Sequence, residues 1–265
     1  MTGFRLDRWI SRRTLPPMWN DIVDLRDFYA GDLGHVARRA LRRRLRLMWP
    51  DVTGMNILGL GYASPYLGLF RSEAQRIVAA MPAPQGVLHW PSDESNLTAL
   101  TEELDLPFPD LSMDLVLLAH GLESSENVRP LLREVWRVLS GSGRLLIMVP
   151  NRRGLWAQTE RTPFGHGHPY SPSQISRLLR ECLFTPTRTD QALFIPPFRW
   201  RMMLSAAPAW EKLGGRWFPG LGGVLLVEAG KQLYAGTTVP AKAPRRSYRL
   251  LARPNSGGLG RQHRK

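Results

Sequence analysis

Short apolar runs alternate with helix-like segments along the chain after Pro50. Several of these runs end at glycine or proline, as strands do before a turn. Continuous apolar strands alternating with helices predict an α/β fold, with a doubly wound and mostly parallel sheet covered by helices on both faces. The predicted strands are residues 55–60, 76–81, 97–100, 114–119, 144–149, 191–195 and 224–229.

Three segments have apolar residues at helical spacing. Residues 131–139 form one predicted helix, closed by Gly141 and Gly143, and residues 173–182 form another, with an N-cap signal at 171–173. In the third, residues 33–48, apolar positions share one face and arginines occupy the rest. A helix of this kind lies on a membrane surface or covers a sheet with its arginines in water. We favour the covering helix.

The net charge of +14 is confined to the two ends of the chain. Residues 1–50 carry 11 basic and 5 acidic residues, residues 51–235 carry 17 of each, and residues 236–265 carry 8 basic and no acidic residues. We therefore predict a basic extension with a covering helix over 1–50, a globular domain over 51–235 and a disordered tail over 236–265. The basic segments 1–50 and 236–265 are candidates for attachment to RNA or another polyanion, and the alternative is a solvated tail without a partner.

Cysteine content and hydropathy exclude several classes of protein. Cys182 is the single cysteine, so an intramolecular disulfide framework and a cysteine-based zinc cluster are ruled out. No apolar run reaches the roughly 18 residues of a transmembrane segment, and the N-terminus lacks the apolar stretch of a signal peptide. We expect a cytoplasmic protein without a transmembrane segment.

Four stretches of sequence then suggest a family. They are Asn-Ile-Leu-Gly-Leu-Gly-Tyr-Ala-Ser at 56–64, the third predicted strand with Leu-Pro-Phe at 96–108, the fourth strand at 113–120, and a helix, glycine turn and strand at 132–147. In this order they resemble the class I S-adenosylmethionine-dependent methyltransferases, with the closest likeness to the quinone-biosynthesis group. The resemblance implies a seven-stranded Rossmann-like sheet, S-adenosylmethionine as the cofactor and methyl transfer as the activity.

The resemblance also implies a cofactor site at the carboxyl ends of the strands. Gly59, Gly61 and Tyr62 would border the methionine end, and Met81 would stand at the ribose position. Glu102 would lie near adenine, with Glu103 one residue away, and His120 would lie beside the pocket. The chain departs from the family pattern at two of these positions, because Gly59 and Met81 stand where the family has acids.

The segment after the fifth strand is polar, glycine-rich and aromatic, and loops at that edge of a sheet usually face the substrate. Arginine suits bidentate contacts to phosphate or carboxylate. The candidates for binding an anionic substrate group are Asn151, Arg152 and Arg153. The candidates for a general base are His166, His168 and Tyr170. His166 and His168, together with His120, are weak evidence for a metal site, because no carboxylate or cysteine lies near the two loop histidines in the sequence. We therefore predict no metal.

Two other functions are compatible with these residues. The segment Gly-Leu-Gly-Tyr-Ala-Ser at 59–64 is close to a dinucleotide-binding fingerprint, but the acid expected about 20 residues later is missing. The second alternative is a methyltransferase fold without activity, which docks on RNA, a ribosome or another anionic partner through its basic ends. The leading prediction is S-adenosylmethionine-dependent methyl transfer, and the sequence does not indicate the methyl acceptor.

Overall fold

A computed structural model describes residues 21–197, 206–218 and 220–232, and side chains at 208 and 212 are not described. The chain falls into two units, 1–233 and 234–265, and every described residue belongs to the first. Residues 1–20 of the basic extension and the whole predicted tail over 236–265 lie outside the described residues.

The described part of the chain forms one seven-stranded sheet with helices on both faces. The strands are β1 (Asn56–Gly61), β2 (Arg76–Pro82), β3 (Thr98–Thr101), β4 (Met113–Ala119), β5 (Leu139–Pro150), β6 (Phe184–Ala192) and β7 (Val224–Lys231). The helices are α1 (Ile22–Ala30), α2 (Asp32–Met48), α3 (Ser64–Leu67), α4 (Val128–Val138), α5 (Pro172–Glu181) and α6 (Ala207–Trp217).

The strand order is β3-β2-β1-β4-β5-β7-β6. β1 to β5 are parallel, β7 is antiparallel to β5, and β6 is antiparallel to β7. The order reverses between β1 and β4, so their carboxyl ends flank the place where ligands of doubly wound sheets bind. This architecture confirms the predicted fold class.

Two of the predicted element boundaries were wrong. The helix before β5 ends at Val138, and Gly141 and Gly143 lie inside the strand, which begins at Leu139. Leu139 is fully buried and pairs with Met113, so packing extends the strand through the glycines. The sixth strand covers 184–192 and not 191–195, because it is an edge strand with a mostly exposed, polar sequence and no apolar run.

The buried face of α2 packs into one of the two cores beside the sheet. Its buried positions recur every three or four residues along one face of α2, and its arginines are exposed or half-buried. α1, which the sequence pattern did not indicate, precedes it and packs into the same core. Asp21 caps α1, since its side chain accepts a hydrogen bond from the backbone of Val23 at 2.7 Å. No helix among the described residues is long and apolar enough to cross a membrane.

Candidate functional site

Buried polar atoms without a partner collect at one edge of the sheet. In the described part of the chain, nine buried side-chain nitrogen and oxygen atoms have no hydrogen-bond partner, and eight of them lie at or just after the carboxyl ends of β1 to β4. A buried polar group without a partner is costly, so a cluster of them marks a place built for a polar ligand. The residues are Ser64, Gln85, Thr101, Glu103, His120, Glu123 and Ser124.

His120 is at the centre of this edge. It follows β4 directly, is 2% exposed and has a φ of +52°, a left-handed conformation that is uncommon outside glycine. Its Nε2 lies 2.7 Å from the hydroxyl of Tyr29, and its Nδ1 lies 3.3 Å from Oε1 of Glu123. A carboxylate on the Nδ1 side favours the tautomer with the proton there, which leaves Nε2 to accept from Tyr29.

Glu123 is fully buried, and neither of its oxygens has a hydrogen-bond partner in the described part of the protein. The loop after β5 lies directly on it, because the backbone nitrogen of His168 donates to the carbonyl of Glu123 at 2.7 Å. Gly167 allows this approach, since it has a φ of +74° and a Cβ there would lie 2.4 Å from the same carbonyl oxygen. Glu123 is a candidate that the sequence analysis did not identify.

Tyr29 brings α1 onto the site. Its hydroxyl lies 2.5 Å from that of Tyr66, as well as close to His120, and its ring packs against Tyr62. Burial, together with Tyr66, raises the pKa of Tyr29 well above its ordinary value, so the hydroxyl keeps its proton at neutral pH. α1 therefore closes the end of β1 and β4.

The glycines in the second half of β1 are required by the protein's own packing. A Cβ at Gly61, where φ is +78°, would lie 2.3 Å from the carbonyl oxygen of Ala119. A Cβ at Gly59 would lie 2.5 Å from Cδ1 of Leu67 and 2.8 Å from the Cβ of Ala63. The family's acid has no room at position 59, because α3 packs there. Tyr62 is 6% exposed, and burial raises its pKa to about 12.

Met81 is fully buried in β2, so the ribose position offers no carboxylate. Four residues later Gln85, also buried, donates from Nε2 to the backbone oxygen of His120 at 2.9 Å, while its Oε1 has no partner. This side chain thus reaches from the loop after β2 to the end of β4 and presents a free acceptor. No motif pointed to Gln85, because the family pattern has its ribose-binding acid at position 81.

The structure separates the two acids after β3. Glu102 is exposed, whereas Glu103 turns inward and accepts a hydrogen bond from Ser125 at 2.9 Å. Its other oxygen is buried without a partner, and burial raises the pKa of this carboxyl group. Glu103, and not Glu102, therefore faces the cluster.

The three residues predicted to bind substrate lie in different surroundings in the structure. Asn151 is buried, and its amide donates to the carbonyls of Gly220 and Gly222 at 3.0 and 2.7 Å. Its side-chain oxygen accepts from the backbone of Arg153 at 3.2 Å, so the structure does not support a substrate contact for Asn151. The side chains of Arg152 and Arg153 are exposed.

The three predicted bases are not equivalent in the structure. His166 is exposed, with Nε2 at 2.8 Å from the carbonyl of Glu160, and His168 is exposed and contacts the site through its backbone. Tyr170 is half-buried, and burial together with the charge of Glu123 raises its pKa. Phe164 of the same loop packs on His120 with ring centres 4.9 Å apart. Among the described residues, no three histidine, cysteine or acidic side chains are grouped to hold a metal ion.

Comparisons with known proteins agree with this geometry. Residues 58–147, from β1 to β5, match the family described as "Methyltransferase domain". The chain is 27% identical over 242 residues to the uncharacterized protein YafS of Escherichia coli K12, covering 89% of this chain and 92% of that one. It is 37% identical over 67 residues to the demethylmenaquinone methyltransferase of Deinococcus radiodurans, covering 24% and 28% of the two chains.

Solved structures share the fold. A chain in the complex of the Haloferax volcanii Trm112 methyltransferase activator with a methyltransferase superposes with a TM-score of 0.58 at 18% identity, covering 81% of this chain and 99% of that one. A SAM-dependent methyltransferase of Archaeoglobus fulgidus gives a TM-score of 0.53 at 18% identity, covering 80% and 100%. Residues 58–147 thus match the methyltransferase domain in sequence, and the solved structures share the fold of the described chain.

Proposed function

We propose that the protein transfers a methyl group from S-adenosylmethionine to an acceptor bound at the carboxyl edge of β1 to β4. The observation that carries the proposal is the cluster of buried, unpartnered polar atoms at this edge. It lies within and beside the segment that matches the methyltransferase domain. A polar ligand bound here would supply hydrogen bonds to atoms that the described side chains and backbone leave without a hydrogen-bond partner.

The polar atoms fit the chemistry of the cofactor. Its ribose hydroxyls and adenine amino group are donors, and Oε1 of Gln85 and Oε2 of Glu103 are unpartnered acceptors. The sulfonium carries a positive charge, and Glu123 offers a buried carboxylate of opposite charge. In this proposal Gln85 replaces the ribose acid that Met81 lacks, and Glu103 takes the adenine side. Gly61, Tyr62 and Ser64 border the methionine end.

When bound, the cofactor supplies a methyl group on a positively charged sulfur. The chain's own residues hold the reactants in place and exclude water. Tyr29 and Phe164 enclose His120 from α1 and from the loop after β5. His120, aligned between Tyr29 and Glu123, keeps α1 against the end of β4. Arg152, Arg153, His166, His168 and Tyr170 stay candidates for the acceptor side.

The test is calorimetric titration of the full chain with S-adenosylmethionine and S-adenosylhomocysteine. Gln85→Leu and Glu103→Gln each remove one acceptor, and a hydrogen bond to a charged or polar ligand contributes about 1–3 kcal/mol, so we expect each change to weaken binding by roughly 5- to 150-fold. Glu102→Gln is the matched control, one residue away and exposed, and its affinity should equal that of the wild type.

Two outcomes would contradict the proposal. One is absence of binding at millimolar ligand in folded wild-type protein, which would favour the inactive binding module. The other is equal weakening by Glu102→Gln and Glu103→Gln, which would show that the inward orientation of Glu103 does not matter.

A cytoplasmic location and an RNA or other polyanion partner for residues 1–50 and 236–265 are also part of this proposal, supported by the charge of these segments. Deletion of 236–265 should reduce both RNA retention on a column and the salt dependence of that retention. Retention with an unchanged salt dependence would contradict the attachment through the tail.

A further inference from the structure

The arginines of α2 fall into two groups. Arg44 lies 3.5 Å from Asp190, and Arg46 lies 2.7 Å from Glu73. Among the described residues, no carboxylate lies within 4.0 Å of the guanidinium groups of Arg38 and Arg42. Arg39 and Arg43 likewise have no such carboxylate, and both are exposed. Among the described residues of α2, the arginines that are half-buried without a carboxylate partner are therefore Arg38 and Arg42.

Arg38 and Arg42 are one helical turn apart, and both are half-buried. Burial and the charge of Arg38 lower the pKa of Arg42. His35, on the same stretch of helix, lies with Nδ1 2.9 Å from Nη2 of Arg38, so it orients that guanidinium. Two like charges held together in a half-buried position repel each other unless an anion lies between them.

These arginines line a groove of about 560 Å³, within the size range of small-molecule sites. Its lining also includes residues of the loop after β1 and Trp90. Within it, Oγ of Ser64 is buried without a partner. The lining includes Arg26, Arg38, Arg42, Tyr62, Ser64 and Trp90.

Position and charge indicate the ligand. Tyr62 and Ser64 follow Gly61, so the groove adjoins the proposed methyl-transfer site. Guanidinium groups bind phosphate in a bidentate fashion, and the hydroxyl of Ser64 can donate to a further oxygen. A phosphate monoester carries about −1.5 to −2 charges at neutral pH, which matches two unpaired arginines better than the single charge of a carboxylate.

We propose that this groove binds a phosphate group carried by the methyl acceptor, beside the loop after β1. That the phosphate belongs to the acceptor rests on the proposed function. Phosphate binding itself does not, because it depends on Arg38 and Arg42 of α2, whereas cofactor binding is argued from Gln85, Glu103 and Glu123.

Gly68 provides a test that leaves the arginines in place. It is exposed with a φ of −56°, and the only atom within 4 Å of a Cβ there is Nη2 of Arg42, at 4.0 Å. Gly68→Glu would therefore fold and place a carboxylate beside Arg42, where it competes with phosphate. Gly68→Gln has the same size without the charge and is the matched control.

The probe is inorganic pyrophosphate, titrated calorimetrically into the full chain. We expect Gly68→Glu and Arg42→Gln to weaken binding at least about tenfold, and Gly68→Gln and the exposed Arg43→Gln to change it by less than about twofold. Acetate, which carries the single charge of one carboxylate, should bind wild type at least about tenfold more weakly than pyrophosphate. Equal affinities for pyrophosphate in Gly68→Glu and Gly68→Gln would overturn the proposal, as would absence of binding in wild type.

The same variants are titrated with S-adenosylmethionine, and unchanged affinity for it shows that the two sites are separate. Pyrophosphate binding that depends on Arg42, in a protein that binds no S-adenosylmethionine, would refute the proposed function and support the phosphate site. Sedimentation with phosphatidylcholine vesicles containing phosphatidic acid identifies the source of the phosphate. If Gly68→Glu no longer sediments with the vesicles and Gly68→Gln still does, the phosphate belongs to a lipid headgroup. If both variants sediment equally, the acceptor is soluble.

Discussion

The hydroxyl of Tyr29 on α1 lies 2.7 Å from Nε2 of His120 at the end of β4. This contact joins a helix outside the matched domain to the centre of the candidate site. It also places two side chains 91 positions apart in the sequence within one buried hydrogen bond. The stability of the closed site therefore depends on α1 as well as on the methyltransferase domain.

Tyr29→Phe should lower the free energy of unfolding by about 1–3 kcal/mol, because it leaves buried groups on His120 and Tyr66 without a partner. Tyr66→Phe is the matched control, since it removes the bond to Tyr29 and keeps the bond between Tyr29 and His120, and it should cost less. Urea denaturation measures both. Equal losses would mean that the contact with His120 adds nothing to stability.

Glu123→Gln should lower the free energy of unfolding without cofactor by about 1–3 kcal/mol, because it removes the carboxylate that lies 3.3 Å from the buried Nδ1 of His120. The same change should weaken the binding of S-adenosylmethionine. Denaturation with and without the cofactor measures the two effects. A variant that is less stable and binds as tightly as wild type would show that Glu123 has only a structural role.

Gly61→Ala should destabilise the protein far more than Gly54→Ala. Both glycines have positive φ, +78° and +72°, so both variants strain the backbone by about 1–2 kcal/mol. Only at Gly61 does the new Cβ meet a backbone oxygen, which should add about 1–3 kcal/mol of overpacking. Thermal unfolding compares the two variants. Similar losses would mean that the loop after β1 moves away from Ala119 at little cost.

The stability of wild type should fall with pH on the acid side, in part through Glu134. Its hydrogen bonds to the guanidinium of Arg137 lower its pKa in the folded state. A carboxyl group with a lowered folded pKa stabilises the protein above its unfolded pKa of about 4.3, and this contribution is lost as the pH falls through the folded pKa. Glu134→Gln should flatten that part of the pH profile, measured by urea denaturation between neutral and acid pH. An unchanged dependence of stability on pH would show that other carboxyl groups account for the loss of stability in acid.

The order of strands and helices was predictable, because β1, β2 and β4 are buried on both faces and their apolar runs reflect this. The edge strand β6 was not, since its exposed residues carry no apolar pattern. α1 escaped notice because its nine residues are too few for the buried positions Ile22, Leu25 and Tyr29 to establish a helical repeat.

The site was only partly predictable. His120 was identified correctly as lying at the carboxyl edge, because a residue that ends a central parallel strand must lie there. Whether Glu102 or Glu103 faces inward depends on the backbone after β3, which no pattern in the chain specifies. Asn151 was assigned to substrate, but its hydrogen bonds run to carbonyls about 70 residues later.

The sequence by itself determined the fold, since apolar periodicity records burial and burial specifies which segments form the sheet. It also carries the match of residues 58–147 to the methyltransferase domain. Only the tertiary structure decided which polar side chains meet, because Tyr29, Gln85, Glu103, His120 and Glu123 come from different elements. Their contacts depend on how the loops cross the carboxyl edge, and that arrangement follows from long-range packing and leaves no local signal in the sequence.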